Sequence, residues 1–268
     1  MTIKLRRRED ASSTHFDGRV VFVSTQARTP EEAVVEAAKK GVNLDFADFS
    51  CMNLARKDLS GLRARFASFK QAQLSGAGLI DADLRGSVLD QAQLSGVHAS
   101  GALFDGSSLN HTNLSGADIS DASFKKARGA GVNMALAIAS RSNFDEAHLP
   151  GLQAMGAEIQ ESSWTRAMLA GAVFVAAQAK LIGLQDVSAT GANFSRADLS
   201  NATLSGDFLD ACFDHANIEG ARVLEQARFD GATFEGTLGL WQEFIDRFGG
   251  QIVCSSLPGD APRRLRMN

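Results

Sequence analysis

The sequence predicts an all-β solenoid, a chain wound into coils along a rod, and three observations predict it. From Leu44 a large apolar residue returns every five positions, and about 26 of the 33 positions in that frame up to Leu204 carry Leu, Phe, Ile, Met or Trp. Two residues before each of them stands a small one, most often Ala, as at Ala72, Ala77, Ala82, Ala92, Ala102, Ala117 and Ala122. A longer period of 20 places Phe104, Phe124, Phe144 and Trp164 in one series. A five-residue repeat matches neither the helix period of about 3.6 nor the strand period of about 2. It matches a chain that turns a corner every five residues, with the large and small residues inside and the other three facing water.

The first segment, 1–41, reads as a polar tail followed by a strand and a helix that cap the rod. Residues 19–24 (RVVFVS) form the strand, and Thr29-Pro30-Glu31-Glu32 starts the helix: Thr29 as N-cap, Pro30 in the first turn and Glu32 closing a capping box. Gly41 ends it immediately before the first coil. Phe46 and Phe66, 20 apart at normally solvent-facing positions, are expected to lie under this cap.

The second segment, 42–237, is the coiled rod. Large and small residues exchange places at Leu62/Ala64, Val97/Ala99, Leu152/Ala154 and Val187/Ala189, which roughly conserves interior volume. Ala137/Ala139 and Ala177/Ala179 have no such compensation, so irregular stretches are expected near 129–139 and 176–189, with Leu136, Ile138, Leu181 and Ile182 folding inward. The frame slips by one residue near Ser205–Gly206 and recovers near Gln226, which predicts a bulged coil between them. One outward series, Asn53, Gln73, Gln93, Asn113, Asn133, Gln153 and Asn193 with Val173 interrupting, predicts an amide ladder along the rod.

The third segment, 238–268, carries a helix that places Leu240, Trp241, Phe244, Ile245 and Phe248 on one face, then a strand-like QIVCSS and a polar tail with Arg263, Arg264 and Arg266. A lid on the last coil is the structural reading. Contact between two copies through Trp241, Phe244 and Phe248 is the alternative.

Written out, the repeat is A(D/N)LSG, as in AQLSG at 92–96 and ADLSN at 197–201. It resembles the pentapeptide-repeat family over residues 42–236. That resemblance implies four units per coil and a right-handed, quadrilateral (four-sided) β-helix of about ten 20-residue coils, roughly 48 Å long at the inter-strand spacing. It also implies two functions. The first is a non-enzymatic protein-interaction module or scaffold. The second is the duplex-DNA mimicry by which quinolone-resistance members bind a type II topoisomerase such as DNA gyrase, some of them dimerising through a C-terminal helical module.

Chemistry in the sequence is sparse. The histidines (His15, His98, His111, His148, His215) fall on different series, the three cysteines are widely spaced, and no nucleotide-loop, nucleophile-elbow or metal-protease motif occurs. No enzyme activity, metal or cofactor is expected. A net charge of −4 gives no basic signature for direct nucleic-acid binding. No leader or apolar span is apparent, so a cytoplasmic protein without membrane contact is expected. The coils carry about 22 acids and 15 bases, far from the roughly 28 negative charges of a 48 Å duplex.

The partner of such a module is unknown, and two surfaces are candidates for it. Ala135, Met155 and Val175 lie 20 apart, with Leu136, Val173 and Ala176 beside them; they form either an apolar partner site or a local irregularity that turns some of them inward. Asp198, Asp207, Asp210, Asp214, Glu219, Glu225, Asp230 and Glu235 make the last coils acidic, as topoisomerase mimicry would need.

Overall fold

The computed structural model describes residues 3–6, 20–240 and 242–253. From Asn43 onward the backbone is a β-solenoid of short parallel bridges, each joining a residue to the one a coil further on. Asn43–Arg63, Asp48–Ser68, Asn53–Gln73 and Asp58–Gly78 open four such columns, which run to the last coil. The cause is the five-residue unit. In most units the amide of the small residue closes a tight turn on the carbonyl of the preceding large one, as Ala72 N–H does on Phe69 O at 2.9 Å. The residue before it takes positive φ, near +60° even where it is Cys51, Arg56 or Gln71. Between corners the large residue donates to the next coil (Leu54 N–H to Gln73 O, 2.7 Å), while the outward residue beside it donates to the previous one (Gln73 N–H to Met52 O, 2.8 Å). Backbone polar groups are thereby paired across coils, as a buried chain requires.

The interior is filled by the frame. Phe104, Phe124, Phe144 and Trp164 stack with centroids 4.7, 4.8 and 3.9 Å apart and planes within 10°. Phe174, Phe194, Phe213 and Phe234 form a second ladder at 5.0, 5.0 and 4.8 Å. All but the Phe144–Trp164 separation lie close to the spacing of adjacent strands, so each ring rests on the next at van der Waals contact.

At the N-terminal end β1 (Ile3–Arg6) pairs antiparallel with β2 (Val20–Ser24), and α1 (Pro30–Lys39) follows. Thr29 is the N-cap and accepts Glu32 N–H, while Glu32 reaches back to Arg28 N–H at 2.7 Å, one residue before the partner that a standard capping box uses. Gly41 N–H bonds Ala38 O and Val42 N–H bonds Ala37 O, the paired bonds of a Schellman end. Ala33, Val34, Ala37 and Ala38 are buried in the same core as the coils. Arg6 O takes Asp48 N–H, an amide of the first coil that has no coil before it. β1 itself was not foreseen.

Several expectations need correction. Phe46 and Phe66 are not buried: they are 43% and 49% exposed and stack on each other at 5.2 Å, both at outward corner positions with positive φ. Through 129–139 the parallel bridges run on, but the corner after Gly129 is altered, with no bond from Val132 N–H to Gly129 O and the Leu109 backbone crowding Gly129. Leu136 and Ile138 do not fold inward and point outward at 70% and 40% exposure. Ala139 needs no help within its unit, since Ile119 and Ile159 lie above and below it in the same buried column. Ile182 does turn inward, but Leu181 does not. The amide ladder forms only over Gln93, Asn113 and Asn133 (3.1 and 3.2 Å); Asn53 and Gln153 bond nearby backbone instead. The carboxamides of Gln71 and Gln91 bond each other in a neighbouring column, at 2.8 Å.

The frame slip appears where expected. β3 (Gly183–Ser188), β4 (Thr203–Asp207) and β5 (Arg222–Val223) form a short parallel sheet in place of a tight corner. Leu184 pairs with Leu204 but Val187 with Gly206, so the step falls from 20 to 19. It becomes 21 at Asp207–Arg228, after the extra residue near Gln226. Beyond the last full coil, α2 (Gln242–Phe248) buries Phe244 and Phe248 against Phe229 and Phe234, and Val253 returns to pair with Thr233.

Candidate functional site

The apolar candidate is assembled by the solenoid from three successive coils. Leu136 N–H donates to Met155 O, and Gly156 N–H to Val175 O, both at 2.9 Å, so the three coils lie in register. Leu136 takes the corner conformation (φ +58°) and its side chain lies over Gly156, whose missing Cβ leaves room for it. Leu136 and Met155 are 70% and 52% exposed; Ala176 is exposed, and Ala135, Val173 and Val175 are half-buried. None of the six turns into the core. The exposure of these residues agrees with the outward reading of their positions; Ile138, two residues after Leu136, was assigned to the interior but is 40% exposed.

The acidic candidate is not one stripe. Asp198 bridges to Asn217 and Asp207 to Arg228, columns about half a coil apart. Arg228 pairs with Asp207 at 3.2 Å and with Asp230 at 3.6 Å, drawing down the charge on that side. Asp214 and Glu235 are neighbours in one column, where Asp214 accepts Glu235 N–H at 2.8 Å. Burial of Asp214 opposes ionisation, but that amide and the side chains of Thr233 and Cys212 outweigh it and hold its pKa below the ordinary value. Asp210, Glu219 and Glu225 occupy further outward positions.

In the third candidate Phe244 and Phe248 are 2% and 3% exposed. Trp241 lies outside the described residues, as do the QIVCSS stretch from Cys254 onward and the arginines of the tail.

A charged network that the sequence reading passed over sits near the N-terminal end. Asp45 receives Arg65 through its backbone N–H, Nε and a terminal guanidinium nitrogen, at 2.9, 3.0 and 2.6 Å, and Asp83 holds Arg85 at 2.8 and 2.7 Å. Burial of Asp45 opposes ionisation, yet the Arg65 bonds and Asn43 keep its carboxyl below the usual carboxylate range. Asp83 is likewise depressed, first by Arg85. The signal was available: residues 45 and 65 stand 20 apart with opposite charges. Among the described residues no group of His, Cys, Asp and Glu is placed to hold a metal, and no helix is long and apolar enough to cross a membrane.

Comparison with known proteins places this architecture. A family model described as pentapeptide repeats matches residues 53–91, 87–125 and 184–236, with eight copies. No curated protein sequence matches the chain. Among solved structures, it is similar to HetL of Nostoc sp. strain PCC 7120, a pentapeptide repeat protein involved in heterocyst differentiation regulation, at 20% identity over 77% of this chain and 93% of that one, with a TM-score of 0.49. It is also similar to full-length QnrB1, a plasmid-mediated fluoroquinolone resistance protein, at 18% identity over 69% and 96% of the two chains and a TM-score of 0.35. A third is a pentapeptide repeat protein of the Arabidopsis thaliana thylakoid lumen, at 23% identity, 48% and 72% coverage and a TM-score of 0.25. The five-residue frame sets the corners, the bridges and the filled interior alike, and with the repeats matched by the family model it makes this chain a member of the pentapeptide-repeat family.

Proposed function

We propose that the chain is a non-enzymatic protein-interaction module, and that its partner binds the apolar patch of Leu136, Met155, Val175 and their neighbours. The scaffold in this reading is a right-handed, four-sided β-helix of about ten coils at 42–237, capped by the strands and helix of 1–41 and by the helix of 238–268. The exposure of Leu136 and Met155 on adjoining coils carries the reading. On a rod whose other outward columns are mostly polar, contiguous exposed apolar side chains mark a contact surface. Among the described residues the interior is packed with Leu, Ile and Phe, and no polar cluster converges inside it, which supports a binding role.

Charge at the patch is the test. In M155E and V175E, a partner retained by immobilised wild-type protein is lost while the circular dichroism spectrum and melting temperature stay unchanged. Equal recovery of that partner by the folded variants removes this surface. Topoisomerase mimicry has less support, because the acids divide between columns and Arg228 offsets two of them. Its test is separate: micromolar protein that inhibits gyrase supercoiling, or protects gyrase from a quinolone, would restore it.

A further inference from the structure

The frame column that contains the Phe104–Trp164 ladder ends in an opening. Every residue of that column from Leu44 to Leu204 is at most 1% exposed, yet its next member, Val223, is half-buried, as is Leu224 beside it. The extra residue near Gln226 carries the chain away from the interior before the coil is complete. What remains is a recess of about 410 Å³, lined by Ala221, Val223, Leu224, Phe244 and Phe248 with Arg222 and Arg247 among them. That volume falls in the range of small-ligand sites.

The two arginines are arranged differently. Arg247 lies over the Phe248 ring at 4.6 Å and donates to Val223 O and Leu224 O at 3.3 and 2.9 Å, which leaves other N–H groups of its guanidinium unused. Arg222 is exposed and makes no ion pair among the described residues. An apolar floor beside one tethered and one free guanidinium suits a single chemistry.

We propose that this recess binds an apolar group bearing a carboxylate, with the hydrocarbon on Val223, Leu224 and Phe248 and the carboxylate accepting from Arg222 and the spare donors of Arg247. Such a group is found at the C-terminal residue of a peptide and in a free hydrophobic acid. A guanidinium fork matches the two oxygens of a carboxylate through parallel N–H bonds.

Titration of the full chain by ¹H–¹⁵N NMR tests the proposal, with N-acetyl-leucine standing for the peptide terminus and octanoate for the free acid. Ligands of this size are expected to bind with Kd about 1 mM, perturbing residues 221–224 and 244–248. N-acetyl-leucinamide, which lacks the charge, binds roughly tenfold more weakly, and R222A loses roughly tenfold for the acids. L224W fills the recess and abolishes binding, while R222K recovers part of the affinity that R222A loses. Tighter binding of N-acetyl-leucine assigns the site to a peptide terminus; tighter binding of octanoate assigns it to a free acid. No perturbation at about 10 mM, or equal affinity for acid and amide, overturns the proposal.

Discussion

Trp164 closes the first aromatic ladder, and its indole N–H would be an unpaired donor in a core of hydrocarbon if Ser162 were not two residues away. The Ser162 hydroxyl accepts from Trp164 Nε1 at 2.8 Å and donates to Ile159 O at 2.6 Å, so one small polar side chain satisfies two buried groups. S162A is therefore expected to cost about 1–3 kcal/mol in chemical denaturation, the range for stranding a buried polar group. W164F should cost less in the S162A background than in the wild type, because Phe brings no donor; equal costs would show that the bond contributes nothing. Gly129 provides a second test, since it stands at a frame position where Leu is the usual residue. A Cβ there would lie 2.6 and 2.7 Å from the backbone carbon and oxygen of Leu109, so the coil above occupies the space. G129L, which restores the repeat's pattern, is expected to destabilise by about 1–3 kcal/mol or more through overpacking. A melting temperature equal to or above that of the wild type would contradict this.

At the level of elements, legibility in the sequence followed the range of the interactions involved. The start of α1 was readable from Thr29 to Glu32, and its end from Gly41, because caps are made by residues within one turn of each other. The bulge was readable because a one-residue slip in a five-residue frame moves every later Ala and Phe together. β1 was not readable, since its pairing with β2 crosses a long intervening segment that leaves no local mark. The inward folding expected beside Ala137 and Ala139 failed for a related reason: Ala139 is compensated by Ile119 and Ile159, twenty residues away, and a test confined to each unit could not see it, whereas at 176–189 Ile182 does turn inward and β3 replaces a corner. Of the candidate surfaces, outward columns could be ranked from the repeat, but the recess beside Val223 depends on where α2 docks. Arg247 is the residue that fixes α2 there, through two carbonyls that the inserted residue leaves without a coil partner. R247A should speed amide exchange in α2 and at 251–253 while leaving residues 44–200 unaffected, as hydrogen exchange followed by mass spectrometry would reveal. Unchanged protection in α2 would mean that Phe244 and Phe248 hold it alone.

Over the whole molecule, the same stacking that builds the rod also links its charges, and this gives stability a defined dependence on pH. Asp45, Asp83 and Asp214 have folded-state pKa values below their ordinary ones, so each binds its proton less readily when folded than when unfolded. Their contribution is complete above the unfolded carboxylate pKa of about 4 and is lost as pH falls through the lower folded values. Stability from these groups should be flat between about pH 5 and 7 and decline below about pH 4. Asp45 and Asp83 lie at the N-terminal end and Asp214 beyond the register slip, so acid weakens both ends of the rod. In a solenoid each coil is stabilised mainly by its neighbours, so a defect between coils can separate two cooperative blocks. The slip between β3 and β5 is such a defect. Beyond it the ladder of Phe194, Phe213 and Phe234 continues, and Phe208 and Phe229 stack beside it as a second short column that meets the first edge to face, Phe208 and Phe213 at 61° and Phe213 and Phe229 at 70°, so the boundary is the change of backbone register. The block beyond Ser205 is therefore expected to open before the coils from 44 to 200. In denaturant, exchange protection at 206–253 should fall first, at a concentration where the regular coils remain protected. A single concerted loss along the whole rod would show instead that the aromatic contacts across the slip couple the two blocks as firmly as any regular pair of coils.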